Sequence, residues 1–292
     1  MPETASAILR VMAARTGITI VGAGNLAGAL ATSLRRAGYR IEGIVTRSGA
    51  ASLRRGRFLA RKVKASLVSA AQIRSNVVWF CVPDVEIAAA ARALEAKVEW
   101  KGKVALHSSG AFTSAVLGVL RRRGAAVASV HPLMTFVRGS RPSLVGVPFA
   151  IEGDARAMRM ARDIVRKLRG HSFSIPQRDK AAYHAWGMFT SPLLTALLAT
   201  SERVADAAGI RSKAARQKML PILAQTLANY AALGAPAALS GPIARGDAAT
   251  VKKHLRALAR VPAARDVYVA LGRASLQYLP AKNRAALLEI LK

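Results

Sequence analysis

Residues 17–28 read GITIVGAGNLAG, and no other stretch limits the possible folds as severely. A short apolar run enters a glycine-rich turn, and the helical pattern LAGALATSLRRAGY follows at 26–39. Gly22, Gly24 and Ala27 occupy the three places of the G-x-G-x-x-G/A fingerprint. The first allows a tight turn, the second lets backbone approach a pyrophosphate, and a small third residue lets helix and strand pack closely. Asn25 and Leu26 then open a helix whose free N–H groups and dipole favour an anion. The expectation is a dinucleotide-binding turn, with Gly22, Gly24, Asn25, Leu26 and Ala27 on the cofactor.

The first half of the chain continues this alternation. Strands are expected at 40–48, 76–84, 103–110, 125–133, 147–153 and 171–176, with helical stretches at 26–39, 86–96, 115–124 and 155–170. NVVWFCVPD at 76–84 holds a continuous apolar run, as a strand buried on both faces should. This predicts an α/β class: a doubly wound, mostly parallel Rossmann sheet. After Gln177 strand signals stop, and helices are expected at 178–208, 211–233, 247–260 and 263–290. Asp247 is expected to cap the third of these. The expected organisation is an extension at 1–16, a dinucleotide-binding domain at 17–176 and an all-helical substrate and dimerisation domain at 177–292.

Hydrophobic residues make up 52% of the 292, enough for a sizeable core. A single cysteine, Cys81, rules out an intramolecular disulfide. With an N-terminus too broken for a signal peptide, it suggests a cytoplasmic protein. Residues 181–201 carry no formal charge, but Pro192 and several hydroxyls interrupt them, so a buried helix is expected rather than a membrane span. The five histidines are dispersed without a ligand spacing, so no metal is expected.

The formal charge is +30. The densest run is RRGRFLARKVK at 54–64, yet aromatic residues are few and most cations are scattered. Solvated basic faces, with weak non-specific attraction to polyanions, are expected rather than specific nucleic-acid recognition.

Cofactor choice is read at the end of the second strand. An NAD site usually places a carboxylate there, whereas this chain has Thr46, Arg47 and Ser48. A guanidinium fork and a hydroxyl suit a 2′-phosphate, so NADP(H) is the expected cofactor.

GAGNLAG, FCVPD, HSSGAF, SVHPLMTF, PFAIEGD and LSGPIARGD occur in that order. Together they resemble a family that pairs a Rossmann-like domain with a helical domain of unknown function. That family lies in the wider group of pyrroline-5-carboxylate reductases, 3-hydroxyacid, prephenate and 6-phosphogluconate dehydrogenases. The resemblance implies an oxidoreductase whose small-molecule substrate lies between the domains, and a homodimer through the helical one. It implies cofactor contacts at Val82 and Pro83. It also makes His131, of the His-Pro pair, a catalytic candidate. Ser108 and Ser109 fall at a strand end, the ligand edge of such sheets, where Ser108 is expected near the cofactor and Ser109 near the substrate.

The helix opening DKAAYHAW places Lys180 and His184 four positions apart, on one face. In several of the related dehydrogenases the corresponding helix carries a catalytic lysine with a polar partner four residues on, which in the hydroxyacid dehydrogenases is usually Asn where this chain has His184. Lys180 and His184 are therefore the expected proton-transfer pair, in an NADP(H)-dependent oxidoreductase acting on a small carbonyl, imine or hydroxy acid. The competing reading is a dinucleotide-binding sensor without turnover.

Overall fold

A computed structural model describes residues 16–140 and 142–292, so the extension expected at 1–16 lies almost wholly outside the described residues. The described chain divides into two compact units, the first ending at Gly187 and the second spanning Met188–Lys292.

The first unit is built on one sheet of eight strands: β1 (Gly17–Val21), β2 (Arg40–Val45), β3 (Ser66–Leu67), β4 (Val77–Phe80), β5 (Val104–His107), β6 (Ala126–Pro132), β7 (Pro148–Gly153) and β8 (His171–Ser174). Their spatial order is β3-β2-β1-β4-β5-β6-β7-β8. The first six run parallel; β7 turns back antiparallel to β6, and β8 is parallel to β7. The order reverses between β1 and β4, which makes the carboxyl ends of those strands a crevice for ligand.

Side chains alternate across the sheet, as period-two strands require. Ile18, Ile20, Val77 and Trp79 pack on one face beneath helices α1 (Asn25–Arg36), α2 (Ala50–Lys62) and α5 (Ala155–Lys167). Val21, Val78 and Phe80 pack on the other, beneath α3 (Ile87–Glu95) and α4 (Gly118–Arg122). All four residues of β4 are fully buried, which explains its uninterrupted apolar run.

The remaining helices are α6 (Lys180–Thr190), α7 (Pro192–Ala207), α8 (Ser212–Ala238), α9 (Pro242–Arg245), α10 (Ala248–Leu258), α11 (Pro262–Tyr278) and α12 (Arg284–Ile290). Two helices expected to be continuous are broken. Ser191 leaves the helical region ahead of Pro192, dividing 178–208 into α6 and α7. Leu279 is extended ahead of Pro280 and ends α11, so 263–290 is not one helix either. In both cases the proline ring excludes its predecessor from the α conformation. The uncharged run 181–201 is thus split, and no helix among the described residues is long and apolar enough to cross a membrane. Asp247 caps α10 as expected, accepting from the Thr250 amide at 3.0 Å. In the second unit Val251, Leu255, Leu276, Leu287 and Leu291 form a small core, whereas α7 buries no residue fully and α8 only Ala215.

Candidate active site

The dinucleotide turn has the required form. Gly22 has φ of 114°, and a Cβ there would meet the Cys81 carbonyl oxygen at 2.5 Å, so only glycine fits between β1 and the end of β4. Gly24 precedes α1 without a side-chain cap, leaving the first N–H groups of the helix to an outside acceptor. A Cβ on Gly24 would touch no protein atom within 4 Å. Ala27 is fully buried against the sheet, whereas Asn25 is exposed and donates to the Phe136 carbonyl at 3.1 Å. Leu26 is half-buried. Val82 lies beside Gly22, and Pro83 precedes a single 3-10 turn, Asp84–Glu86. Glycine where a phosphate must approach and an uncapped helix end together fit a dinucleotide.

At the end of β2, Ser48 is exposed and the Thr46 hydroxyl is buried without a hydrogen-bond partner. Arg47 does not stand free: it donates to Glu86 at 2.8 Å, bridging the ends of β2 and β4 across β1. The arginine side chain is 69% exposed, so the ion pair is worth less than about 1 kcal/mol and an incoming phosphate can displace it.

Beyond β5 the loop is tightly braced. His107 accepts from the Ser109 amide on Nδ1 at 3.1 Å, so its proton lies on Nε2, which donates to the Thr113 carbonyl at 3.1 Å. Burial first, then the Lys180 charge, pushes this imidazole down to about 3. Ser108 accepts from the fully buried Trp79 indole at 2.8 Å. Ser109 donates to Asp84 at 2.7 Å and accepts from the amides of Ala111 and Phe112. Both hydroxyls, expected at cofactor and substrate from their strand-end position, are occupied in holding the loop, and both residues are buried.

The helix face of Lys180 and His184 divides. Lys180 turns inward, 1% exposed, and donates to Ser129 Oγ on β6 at 2.5 Å. Glu152 on β7, register partner of Ser129, lies 3.9 Å from the ammonium and accepts from the Ser114 amide at 2.6 Å and hydroxyl at 2.8 Å. Burial lowers the Lys180 pKa to about 8, against the opposing pull of Glu152 and Asp84. The lysine does not reach the surface, because its charge partner is buried with it.

His184, half-buried, meets the other candidate. Its ring centroid lies 6.3 Å from that of His131, edge to face, and both rings press on Gly110, where a Cβ would meet His184 Cδ2 at 2.5 Å and His131 Nε2 at 2.9 Å. His131 Nδ1 shares a 2.7 Å hydrogen bond with the Tyr183 hydroxyl. Burial, then Lys180, then His184 push the His131 imidazole down to about 4, so it is neutral at physiological pH. Burial raises the Tyr183 phenol to about 12. Tyr183 was not among the expected site residues, although it neighbours His184 in the chain; its hydroxyl becomes notable only once β6 brings His131 to it. The structure thus gathers His131, Tyr183 and His184 around Gly110, past the carboxyl end of β5.

Comparison with known proteins agrees with this architecture. Residues 1–132 match the Rossmann-like domain, and residues 147–275 match a domain of unknown function, DUF2520. Among solved structures, the Bacteroides fragilis protein BF3122, provisionally named an NADP oxidoreductase, is 25% identical with a TM-score of 0.71, covering 89% of this chain and 97% of that one. Protein TM1727 of Thermotoga maritima is 24% identical with a TM-score of 0.69, covering 88% and 96%. The reductive aminase of Aspergillus terreus, solved with NADPH and ethyl-5-oxohexanoate, shares the fold at 15% identity and a TM-score of 0.65, covering 95% and 99%. No curated protein sequence matches the chain. The chain belongs to the family that joins a Rossmann-like domain to a DUF2520 domain.

Proposed function

We propose that the protein is an NADP(H)-dependent oxidoreductase acting on a small carbonyl, imine or hydroxy acid. The observation that carries this reading is the meeting of His131, Tyr183 and His184 on Gly110, at the same sheet edge as the uncapped Gly24 turn. The naming of the Bacteroides relative as an NADP oxidoreductase supports it.

A nicotinamide dinucleotide held at the turn of residues 22–27 would supply the hydride chemistry. The proton at the substrate heteroatom belongs to this chain, and His184, the half-exposed member of the cluster, exchanges it there. The neutral His131, held by Tyr183, keeps the His184 ring in place without adding charge. Lys180 acts at one remove, as a buried cation that favours neutral imidazoles around it. A panel of 2-oxo acids, cyclic imines and hydroxy acids, followed by NADPH oxidation or NADP reduction, tests the reading. His184→Asn should cut turnover roughly a hundredfold with NADPH affinity near wild type. Absence of turnover across the panel with NADPH tightly bound would favour a sensor instead.

The 2′-phosphate is held by Arg47 once it leaves Glu86, with the Ser48 hydroxyl beside it. Glu86→Gln should therefore tighten NADPH binding a few-fold without changing NADH binding, whereas Arg47→Glu should remove the preference for NADPH. Calorimetric titration of both cofactors decides it; equal wild-type affinities would remove the assignment.

The protein is further proposed to form a homodimer through its helical half. Leu193, Leu220, Ile222, Leu227, Tyr230 and Leu233 on α7 and α8 are all exposed, apolar side chains that a second copy of the chain would cover. Light scattering should give twice the chain mass; a concentration-independent monomer would refute it.

A further inference from the structure

A groove of about 900 Å³ runs along the outer side of α1, from Gly24 and Asn25 at one end to Arg36 and Ala37 at the other. At the ~1.5 Å rise of a helix this is about 20 Å long. Three elements converge on it with cations: Arg36 from α1, Arg54, Arg55 and Lys62 from α2, and Lys167 and Arg169 at the end of α5. Among the described residues no Asp or Glu lines it, and Arg36, Arg54, Arg55, Lys62 and Arg169 form no salt bridge. Elsewhere in the same unit arginines do meet carboxylates, as at Arg121–Asp154 and Arg123–Glu95. The charge here is therefore not an ordinary solvated face. It is like-signed, drawn from separate helices and gathered in a concavity, the arrangement that focuses potential on an anion.

An aromatic ring lies within that charge. Arg54, Phe58 and Lys62 follow one another at four-residue spacing and form a single stripe on α2. Phe58 is 60% exposed and lines the groove. A cationic groove with an exposed ring suits a nucleic-acid strand, whose phosphates follow the charge while a base stacks on the ring. About 20 Å accommodates about six phosphates at the ~3.4 Å spacing of a stacked strand, as many as the cations present.

We propose that this groove binds single-stranded nucleic acid without sequence preference, with Phe58 as the stacking platform. The inference does not depend on the proposed oxidoreductase activity.

The test is fluorescence anisotropy with a labelled decanucleotide of mixed sequence, across a salt series. Wild type should bind with a log–log salt slope of about −4, from six neutralised phosphates at ~0.7 each, and the triple variant Arg54→Ser/Arg55→Ser/Lys62→Ser should reduce it to about −2. Lys252→Ser/Lys253→Ser/Arg256→Ser, which removes three exposed cations from α10, should leave slope and affinity unchanged. Phe58→Ala retains every charge and should weaken binding about fivefold or more. Excess NADPH, which takes only the Gly24 end of the groove, should weaken binding a few-fold without abolishing it. Equal losses from the two triple variants would make the attraction diffuse charge and overturn the proposal. No effect of Phe58→Ala, with inorganic polyphosphate competing as well as the oligonucleotide, would make the site a plain polyanion groove and overturn it too. Complete displacement by NADPH would move the binding to the dinucleotide turn.

Discussion

A Gly24→Val variant should fold as the wild type does and lose its affinity for a nicotinamide dinucleotide. The backbone at Gly24 is extended, with φ of −80° and ψ of −172°, a conformation valine adopts readily. The added side chain begins in space that no protein atom reaches within 4 Å, so the fold loses little beyond a modest helix-cap preference. That space is where a pyrophosphate must approach, and the branched side chain fills it. Gly22→Ala behaves oppositely. Its Cβ would lie 2.5 Å from a backbone oxygen of the neighbouring strand end, on a residue with positive φ, so this variant fails at the level of the fold. Thermal melts beside cofactor titrations separate the two. A folded Gly24→Val protein that retains NADPH would overturn the dinucleotide site.

Lys180→Met should destabilise the protein by about 3–5 kcal/mol, the usual loss when a buried pair is broken and a charge is left without its partner. The stranded group is Glu152, 3% exposed and, among the described residues, left with Ser114 as its hydrogen-bond donor. Adding Glu152→Gln removes that charge, so the double variant should regain most of the loss. Lost turnover in Lys180→Met alone therefore does not identify a catalytic lysine. The pair also has a pH signature. The folded-state pKa of Lys180 lies near 8, below its ordinary value of 10.5, so between those values the unfolded chain binds more protons than the folded one. Stability must then rise with pH across that window and level off above it. Denaturant midpoints between pH 7.5 and 10.5, as the difference between wild type and the double variant, should show this rise. A flat difference would mean that Lys180 is not held in a desolvated site.

The dinucleotide turn was legible because its chemistry is local: Gly22, Gly24 and Ala27 meet their requirements within six residues. The strands were legible for a related reason, since a fully buried β4 must be apolar at every position. The fate of Lys180 was not. Its partners Ser129 and Glu152 come from two strands 51 and 28 residues back, brought into register by the antiparallel turn of β7. Spacing on the helix correctly put Lys180 and His184 on one face, but a face can point partly into a core, and only the position of Glu152 decides which residue is drawn inward. Ser108 and Ser109 show the converse limit. Strand-end serines look like ligand donors until Trp79 and Asp84 are seen to claim them. The breaks at Ser191 and Leu279 were signalled by the prolines that follow, yet the apolar periodicity ran through both and masked them.

The three tryptophans are sorted by environment. Trp79 and Trp100 are sealed in the sheet unit, at 0% and 1% exposure, whereas Trp186 is 51% exposed with its ring 6.1 Å from that of Tyr183. A collisional quencher such as iodide therefore reaches the emission of one indole and spares the other two. Because that indole borders the tyrosine that holds His131, the quenchable fraction of the fluorescence is an optical gauge of the histidine cluster, readable before any substrate is known.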